Sequence, residues 1–168
     1  MTEKNFNLQS FTHSIYLNKP VNEAFDFIAL AGGFTKWFIG EASFVSPEGE
    51  KRSANDYVQR EDNYELKWQN KDFSTKGIVL DVQKNELLSF TFGSLFNVTI
   101  TLKGDNSRTL ITLTQKYNEG AVPNDFAHIN CCVCWVFFMT NLKSVIENGT
   151  DLRETSPGNA GNNELINM

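Results

Sequence analysis

The chain has 168 residues, a formal net charge of −5 and 40% hydrophobic residues, enough for the core of one domain without a disulfide or a structural metal. The acidic balance argues against a binder of nucleic acid, which needs an excess of Lys and Arg on one face. Residues 1–14 contain no secretory signal, and the longest apolar stretch, Cys131 to Met139, is too short to span a bilayer, so we expect a cytoplasmic protein without membrane insertion.

The first predicted elements are a strand, a helix and a short aromatic segment. Phe11 to Leu17 alternates apolar and polar residues, as a strand with one buried face does. A helix begins at Pro20, carries apolar side chains at helical spacing and stops at Gly32-Gly33. The following stretch, Phe34 to Phe38, is long enough for one or two turns only. We predict that its large aromatic side chains form a lid or plug.

A series of short β-type runs separated by turn clusters follows, from residue 42 to residue 117. Turns this tight leave no room for crossover helices, so consecutive strands should be neighbours in one antiparallel sheet. The alternation of apolar and polar residues indicates that only one face of this sheet is covered. The predicted strands are Ala42 to Ser46, Asp56 to Arg60, Tyr64 to Gln69, Phe73 to Val82, Leu87 to Phe92, Asn97 to Lys103 and Arg108 to Tyr117.

A long helix ends the predicted fold. It begins at Pro123-Asn124-Asp125 and runs to about Asn148, with Gly149 as its C-cap, so at 1.5 Å per residue it is roughly 36 Å long. Its middle is apolar nearly all round, and the surplus face must be covered by the cavity rim, by the N-terminal helices or by a second subunit; we favour a homodimer. The two apolar stripes are Phe126, Ile129, Val133, Val136, Phe137 and Thr140, and Cys131, Trp135, Phe138, Leu142 and Val145.

These elements define one predicted domain, from residue 11 to residue 153. Residues 1–10 form an N-terminal extension. Residues 154–168 are rich in Ser, Pro, Gly and Asn, and we predict that they form a disordered tail.

Four stretches of the domain carry a family resemblance: Ser14 to Phe25, Gly33 to Phe38, Lys76 to Val82 and Asn141 to Arg153. The last of them, with Leu-Lys followed by Gly-x-Asp-Leu-Arg, is the most specific. Together they resemble the activator of heat shock protein 90 ATPase homologue (AHSA-like) family of the START-like or SRPBCC superfamily. The resemblance extends over about residues 11–153. It implies an α+β helix-grip fold, in which a curved antiparallel sheet of six to seven strands wraps around the long C-terminal helix, with two short helices after the first strand.

The resemblance implies two kinds of partner. The helix-grip fold holds a small apolar or amphipathic molecule between sheet and helix, and the name-giving members of the family regulate a heat shock chaperone. The eukaryotic activators make much of the chaperone contact through an additional N-terminal domain. We see no such domain in this sequence, which favours the small-molecule partner.

Aromatic residues are the candidate walls of a ligand cavity. The chain has 14 Phe and three Trp, and the resemblance places many of them on the concave sheet face or on the helix opposite. Ligand pockets are typically about 300 to 1,000 Å³ and mostly apolar, but the same rings could simply fill a core. The sequence leaves both interpretations open. The predicted ligand-binding residues are Trp37, Phe38, Trp68, Phe90, Phe92, Trp135, Phe138 and His13.

Metal binding has only a weak signal. His128, Cys131 and Cys132 stand at i, i+3 and i+4 on the last helix, a spacing that could contribute ligands. A structural zinc needs four ligands, yet outside this helix, which also carries Cys134, the sequence offers only His13 and no cysteine. We therefore expect small buried cysteines, no metal and no cofactor.

Catalysis is also weakly supported. The sequence has no nucleophile elbow, phosphate loop or zinc-protease motif, and we expect no enzyme. His13 is the one general acid or base candidate, although a buried histidine bonded to backbone is the commoner arrangement. We interpret Glu61, Asp62 and Glu65 as a solvated corner.

Three functions stay open at this point. We favour a non-catalytic protein that binds a small hydrophobic or amphipathic ligand in the cavity. The alternative is a co-chaperone-type interaction protein. A third, a cavity enzyme of cyclase or hydrolase type, depends on superfamily relatives and on His13 alone.

Overall fold

The structure, a computed structural model, describes residues 8–159 and 164–167. In chain order its elements are β1 (Ser10–Leu17), α1 (Val21–Ala29), β2 (Glu41–Val45), β3 (Asn63–Lys67), β4 (Ser74–Gln83), β5 (Leu87–Phe92), β6 (Phe96–Asp105), β7 (Arg108–Tyr117) and α2 (Asp125–Asn148). Single turns of 3-10 helix lie at Phe34–Lys36 and Pro157–Asn159.

The seven strands form one antiparallel sheet in the order β1-β7-β6-β5-β4-β3-β2. Strands β2 to β7 are a meander in which each strand pairs with the next, and β1 is added beside β7, where Ile15 lies opposite Ile111. The register of β4 against β5 shifts between Val79 and Asp81, an irregularity that bends the strand. The sheet therefore curves around its inner face.

The two faces of the sheet differ in composition because strand side chains alternate. Leu88, Val98 and Ile100 on the inner face are at most 2% exposed. Burying each such side chain contributes about 1.5 to 3 kcal/mol. The outer face carries hydroxyl pairs such as Thr12 with Thr114, whose oxygens are 2.9 Å apart.

Helix α2 crosses the inner face and is fixed at both ends. The Asn124 side chain accepts a hydrogen bond from the backbone of Ala127 at 3.0 Å, and Gly149 ends the helix in the left-handed region at φ 68°. Near its C-terminus, Lys143 donates to the carbonyl of Tyr16 at 2.6 Å. The predicted helix-grip architecture, with a curved sheet and a long C-terminal helix, is confirmed.

The predicted strand from Asp56 to Arg60 is wrong. This segment makes one isolated bridge, between Tyr57 and Leu30, and Val58 donates to the carbonyl of Ala29 at 2.8 Å. It therefore pairs with the chain just after α1 instead of joining the sheet. Val58 is 1% exposed, so the apolar residue in this segment reflects burial in the core and does not indicate a strand.

The interpretation of Asp62 as part of a solvated corner is also wrong, because Asp62 is fully buried. Its carboxylate accepts from Arg52 Nε at 2.9 Å and from Arg52 Nη2 at 2.8 Å. It also accepts from the backbone N–H of Gln59 at 2.8 Å. This ion pair closes the long loop between β2 and β3.

We predict that Asp62→Ala lowers the free energy of unfolding by about 2 to 3 kcal/mol, because the largely buried Arg52 loses its partner. Urea denaturation would measure the change. Glu65→Ala is the matched control: its side chain is 48% exposed, and we expect little change. Equal effects of the two substitutions would contradict the role of the buried pair.

Parts of the predicted termini lie outside the described residues, namely 1–7, 160–163 and 168. Strand β1 begins at Ser10, the last residue of the predicted extension. In the predicted tail, Glu154 donates its backbone N–H to Asn167 at 2.7 Å. The domain limits and the disorder of the tail stay predictions.

Candidate functional site

Seven of the eight predicted ligand-binding residues form one group of rings, here called the aromatic cluster: Trp37, Phe38, Trp68, Phe90, Phe92, Trp135 and Phe138. Phe38 is at its centre, with ring centroids 4.7 Å from Trp135 and 4.8 Å from Phe138. Phe90 joins the cluster through Phe92; their ring centroids are 6.4 Å apart. Four separate parts of the chain supply these rings: β5, the turn after β3, α2 and the segment after α1.

The aromatic cluster fills the space between sheet and α2. Trp37, Phe38, Phe90, Trp135 and Phe138 are at most 4% exposed, whereas Trp68 and Phe92 are half-buried. A neighbouring void beside Phe34, Tyr64 and Phe90 encloses about 190 Å³ but has no room for a water-sized sphere. The structure therefore shows a packed arrangement of these rings and not an open pocket among them.

The segment that carries Trp37 and Phe38, residues 34–40, plugs one end of the fold and is here called the plug. Arg153 donates to the carbonyls of Thr35 and Ile39, both at 2.9 Å. Asn141 of α2 donates to the carbonyl of Trp37 at 2.7 Å. The family-like stretch from Asn141 to Arg153, which includes the end of α2 and the residues after it, thus holds the plug in place.

Asp151 completes this fastening. Burial alone would raise the pKa of Asp151, but hydrogen bonds from Arg153 and Asn141 hold that pKa below its ordinary value. The carboxylate therefore stays ionised and keeps the Arg153 guanidinium, only 5% exposed, aimed at the plug.

Beside the plug lies an open cleft of about 420 Å³, formed where the turn between β3 and β4 meets the start of β2. Its wall includes Trp68, whose ring is 5.6 Å from Phe38 and 6.0 Å from Phe138. Phe73, 59% exposed, stacks on Trp68, with ring centroids 6.4 Å apart. The residues lining this cleft are Gly40, Glu41, Lys67, Trp68, Gln69, Asn70, Lys71 and Asp72.

Sequence reasoning identified Trp68 but missed the polar side of the cleft. Asn70, Lys71 and Asp72 carried only the signal of a turn, and their position beside Gly40 depends on tertiary structure. A Cβ atom on Gly40 would lie 3.0 Å from Gln69. In the sequence, the glycine at position 40 followed by Glu41 is the one local feature that could have indicated this close approach and therefore the cleft.

His13, the eighth predicted ligand-binding residue, lies in a separate groove of about 260 Å³ between β1 and α2. Its Nε2 is 2.9 Å from the carbonyl oxygen of Cys132 and 3.5 Å from the Cys132 thiol. Because a carbonyl only accepts, Nε2 carries the proton and is not free to accept the thiol's proton. Burial also raises the pKa of the Cys132 thiol, which opposes a thiolate nucleophile.

The histidine and cysteines of α2 are not arranged as a metal site. His128 is buried and stacks on Tyr117 at 5.7 Å. Cys131 and Cys132 are half-buried free thiols. Across the residues that the structure describes, no group of three or more His, Cys, Asp or Glu could hold a metal ion.

The outer face of α2 is apolar and exposed, and is here called the outer stripe: Phe126, Ile129, Val133 and Val136. Their exposed fractions are 81%, 47%, 65% and 52%. The second predicted stripe faces inward instead, with Trp135, Phe138 and Leu142 buried. By length and composition alone α2 could cross a membrane, but core helices of soluble domains meet the same criterion.

The family is shown by comparison with known proteins. Residues 18–147 match the family model described as Activator of Hsp90 ATPase homolog 1-like protein. The chain belongs to this AHSA1-like family. The AHSA-like identity expected from the four sequence stretches is thus confirmed. No curated protein matches the chain in sequence.

Solved structures share the AHSA1-like fold at low identity. A Staphylococcus saprophyticus protein is 16% identical with a TM-score of 0.67, over 86% of this chain and 96% of that one. The Aha1 dimer from Colwellia psychrerythraea is 15% identical with a TM-score of 0.65, over 84% and 98%. A putative protein of the dynemicin biosynthetic locus is 16% identical with a TM-score of 0.65; the match covers 88% of this chain but 50% of that one. These likenesses establish the fold alone.

Proposed function

We propose that this AHSA1-like protein is a non-catalytic, cytoplasmic binding protein for a small amphipathic molecule. The cleft at Trp68, and not the packed interior, is the binding site. One observation carries the proposal: the cleft measures about 420 Å³, a volume typical of ligand pockets, and its aromatic wall is continuous with the aromatic cluster.

The cleft combines an apolar surface with polar groups that can orient a ligand. The ring of Trp68 offers the apolar surface, and Phe73 extends it toward solvent. On the polar side, Lys67 and Glu41 form an ion pair at 3.4 Å.

We predict that Trp68→Ala weakens the binding of 1-anilinonaphthalene-8-sulfonate about tenfold, because the substitution removes the aromatic wall of the cleft. Fluorescence titration of the dye measures the affinity. Phe126→Ala removes an exposed aromatic ring from α2, away from the cleft, and is expected to leave dye binding unchanged. Unchanged binding by Trp68→Ala, or loss of binding by Phe126→Ala alone, would contradict the proposal.

A second candidate function, protein interaction through the outer stripe, is favoured by the exposure of its four apolar side chains. None of the four is charged, so a second copy of α2 could pack against the stripe without desolvating an ion. The similar Colwellia psychrerythraea protein is a dimer. We propose a homodimer through this face, with a heat shock chaperone as the competing partner.

Phe126→Ser combined with Val133→Ser is expected to convert a dimer to a monomer, because both side chains would otherwise leave water on association. Light scattering coupled to size exclusion measures the molar mass. Phe73→Ser, an exposed ring away from α2, is the control and should stay dimeric. A wild-type chain that is monomeric at every concentration refutes the homodimer, and binding of the purified chaperone to the stripe would then identify the other partner.

A further inference from the structure

The turn between β3 and β4 carries two polar groups that the packing leaves unpaired. Within the described residues, Trp68 Nε1 and Asn70 Nδ2 are buried and have no hydrogen-bond partner. The other two indoles of the aromatic cluster are paired: Trp37 donates to the carbonyl of Phe27 at 3.0 Å, and Trp135 donates to Gln115 at 2.9 Å. Buried donors are nearly always paired in folded proteins. Gln115 Nε2 is also buried and unpaired, but Trp68 and Asn70 are the two such donors whose residues line the cleft.

Both donors belong to the lining of the cleft. Asn70 adopts a left-handed conformation at φ 55°, and its Oδ1 accepts from Gln69 at 3.4 Å, which leaves Nδ2 as the unpaired end of the amide. Two backbone bonds close the turn, from Trp68 N–H to Phe73 at 3.0 Å and from Lys71 N–H to Trp68 at 3.3 Å. Both nitrogens are buried although their residues line the cleft, so contact with a ligand requires the turn to move outward.

We propose that Trp68 Nε1 and Asn70 Nδ2 recognise an uncharged carbonyl oxygen on a ligand whose remainder is an apolar ring or chain. This inference rests on the ligand binding in the cleft proposed above. Both groups are N–H donors, so their partner is an acceptor. The charged residues of the lining, Glu41 and Asp72 against Lys67 and Lys71, cancel, which favours a neutral acceptor over a carboxylate.

The apolar part of such a ligand has a surface to occupy next to the donors. The Trp68 ring meets Phe38 edge to face, with centroids 5.6 Å apart, and is nearly parallel to Phe73, with centroids 6.4 Å apart. Trp68 and Asn70 line the same cleft, so a ligand whose ring contacts the Trp68 indole can direct a short carbonyl side arm toward Asn70. Hydrogen bonding to the arm supplies the partner that the turn lacks in the unliganded fold.

Three probes with one ring system test the inference: 1-naphthaleneacetamide, 1-naphthaleneacetate and 1-methylnaphthalene. The wild-type protein is expected to bind the amide about three- to tenfold more tightly than the hydrocarbon, and the carboxylate no more tightly than the amide. Trp68→Phe keeps an aromatic ring and removes the N–H. It should abolish the preference for the amide while the affinity for the hydrocarbon changes less than about threefold. Ligand-observed NMR measures all affinities, and circular dichroism confirms the fold of each variant.

Two further variants sharpen the test. Asn70→Asp replaces the donor with an oxygen in a residue that tolerates the left-handed conformation, and it should also remove the preference for the amide. Trp37→Phe removes an indole N–H outside the cleft and should retain the preference. If none of the probes binds wild type, the proposed function fails. If all bind equally, as expected where bound water pairs the donors, or if Trp68→Phe keeps the preference, the carbonyl recognition alone is refuted.

Discussion

Phe38→Ala is expected to lower the free energy of unfolding by about 4 kcal/mol, one of the two largest effects that the structure predicts for a single substitution. The side chain is 2% exposed, and its ring contacts five other members of the aromatic cluster. Those five rings come from the plug, from the turn after β3, from β5 and from α2. Because these parts of the chain are fixed separately, the rings cannot all move into the space left by the missing ring. Urea denaturation measures the loss.

Phe126→Ala is the matched control for this substitution, since it removes the same atoms from a side chain that is 81% exposed. Its expected cost in the monomer is below about 0.5 kcal/mol. A cost of less than about 1 kcal/mol for Phe38→Ala would mean that the rings are loosely packed, contrary to the structure.

The Phe38→Ala variant also tests whether the space between the sheet and α2 can bind a small apolar molecule. An apolar cavity of this kind stays dry and binds small hydrocarbons such as benzene. Benzene is therefore expected to raise the thermal midpoint of Phe38→Ala and to leave that of wild type unchanged. A rise in wild type would show an interior site that the packed rings conceal, and the ligand cavity first expected between sheet and helix would regain its support.

Local signals explain which parts of the fold the sequence predicts well. Asn124 and Gly149 mark the two ends of α2 through backbone chemistry that involves only their neighbours. The meander follows from turn residues between alternating runs, and the pairing of consecutive strands needs no distant information. The grouping of Trp37, Phe38 and Trp135 was predicted through the family resemblance, which supplied the three-dimensional arrangement.

Long-range contacts explain what the sequence could not predict. Whether rings line a cavity or fill it depends on separations such as the 4.7 Å between Phe38 and Trp135, far apart in sequence. Asp62 resembles any acidic turn residue until Arg52 folds back onto it. The polar side of the cleft is likewise formed by a turn that meets Gly40 only in the folded chain.

The fastening of the plug gives the second large prediction: Asn141→Leu should lower the free energy of unfolding by about 3 to 4 kcal/mol. Asn141 is fully buried, and its amide donates to the carbonyl of Trp37 at 2.7 Å and to Asp151 at 3.0 Å. Its oxygen accepts from the backbone of Leu152 at 2.7 Å. Leucine has nearly the same size but pairs with none of these groups, so the carbonyl of Trp37 and the N–H of Leu152 would lose their partners.

Asn130→Leu is the control, because Asn130 is an exposed residue of the same helix and its substitution should cost less than about 0.5 kcal/mol. Hydrogen exchange gives a second measurement: the amides of Phe38 and Ile39, which donate to Phe34 at 3.0 and 3.1 Å, should exchange faster in Asn141→Leu. Equal stability of the two variants would mean that the plug is held by ring packing alone. Faster exchange confined to the plug would instead show that the hydrogen bonds from α2 and from the stretch after it stabilise the position of Trp37 and Phe38.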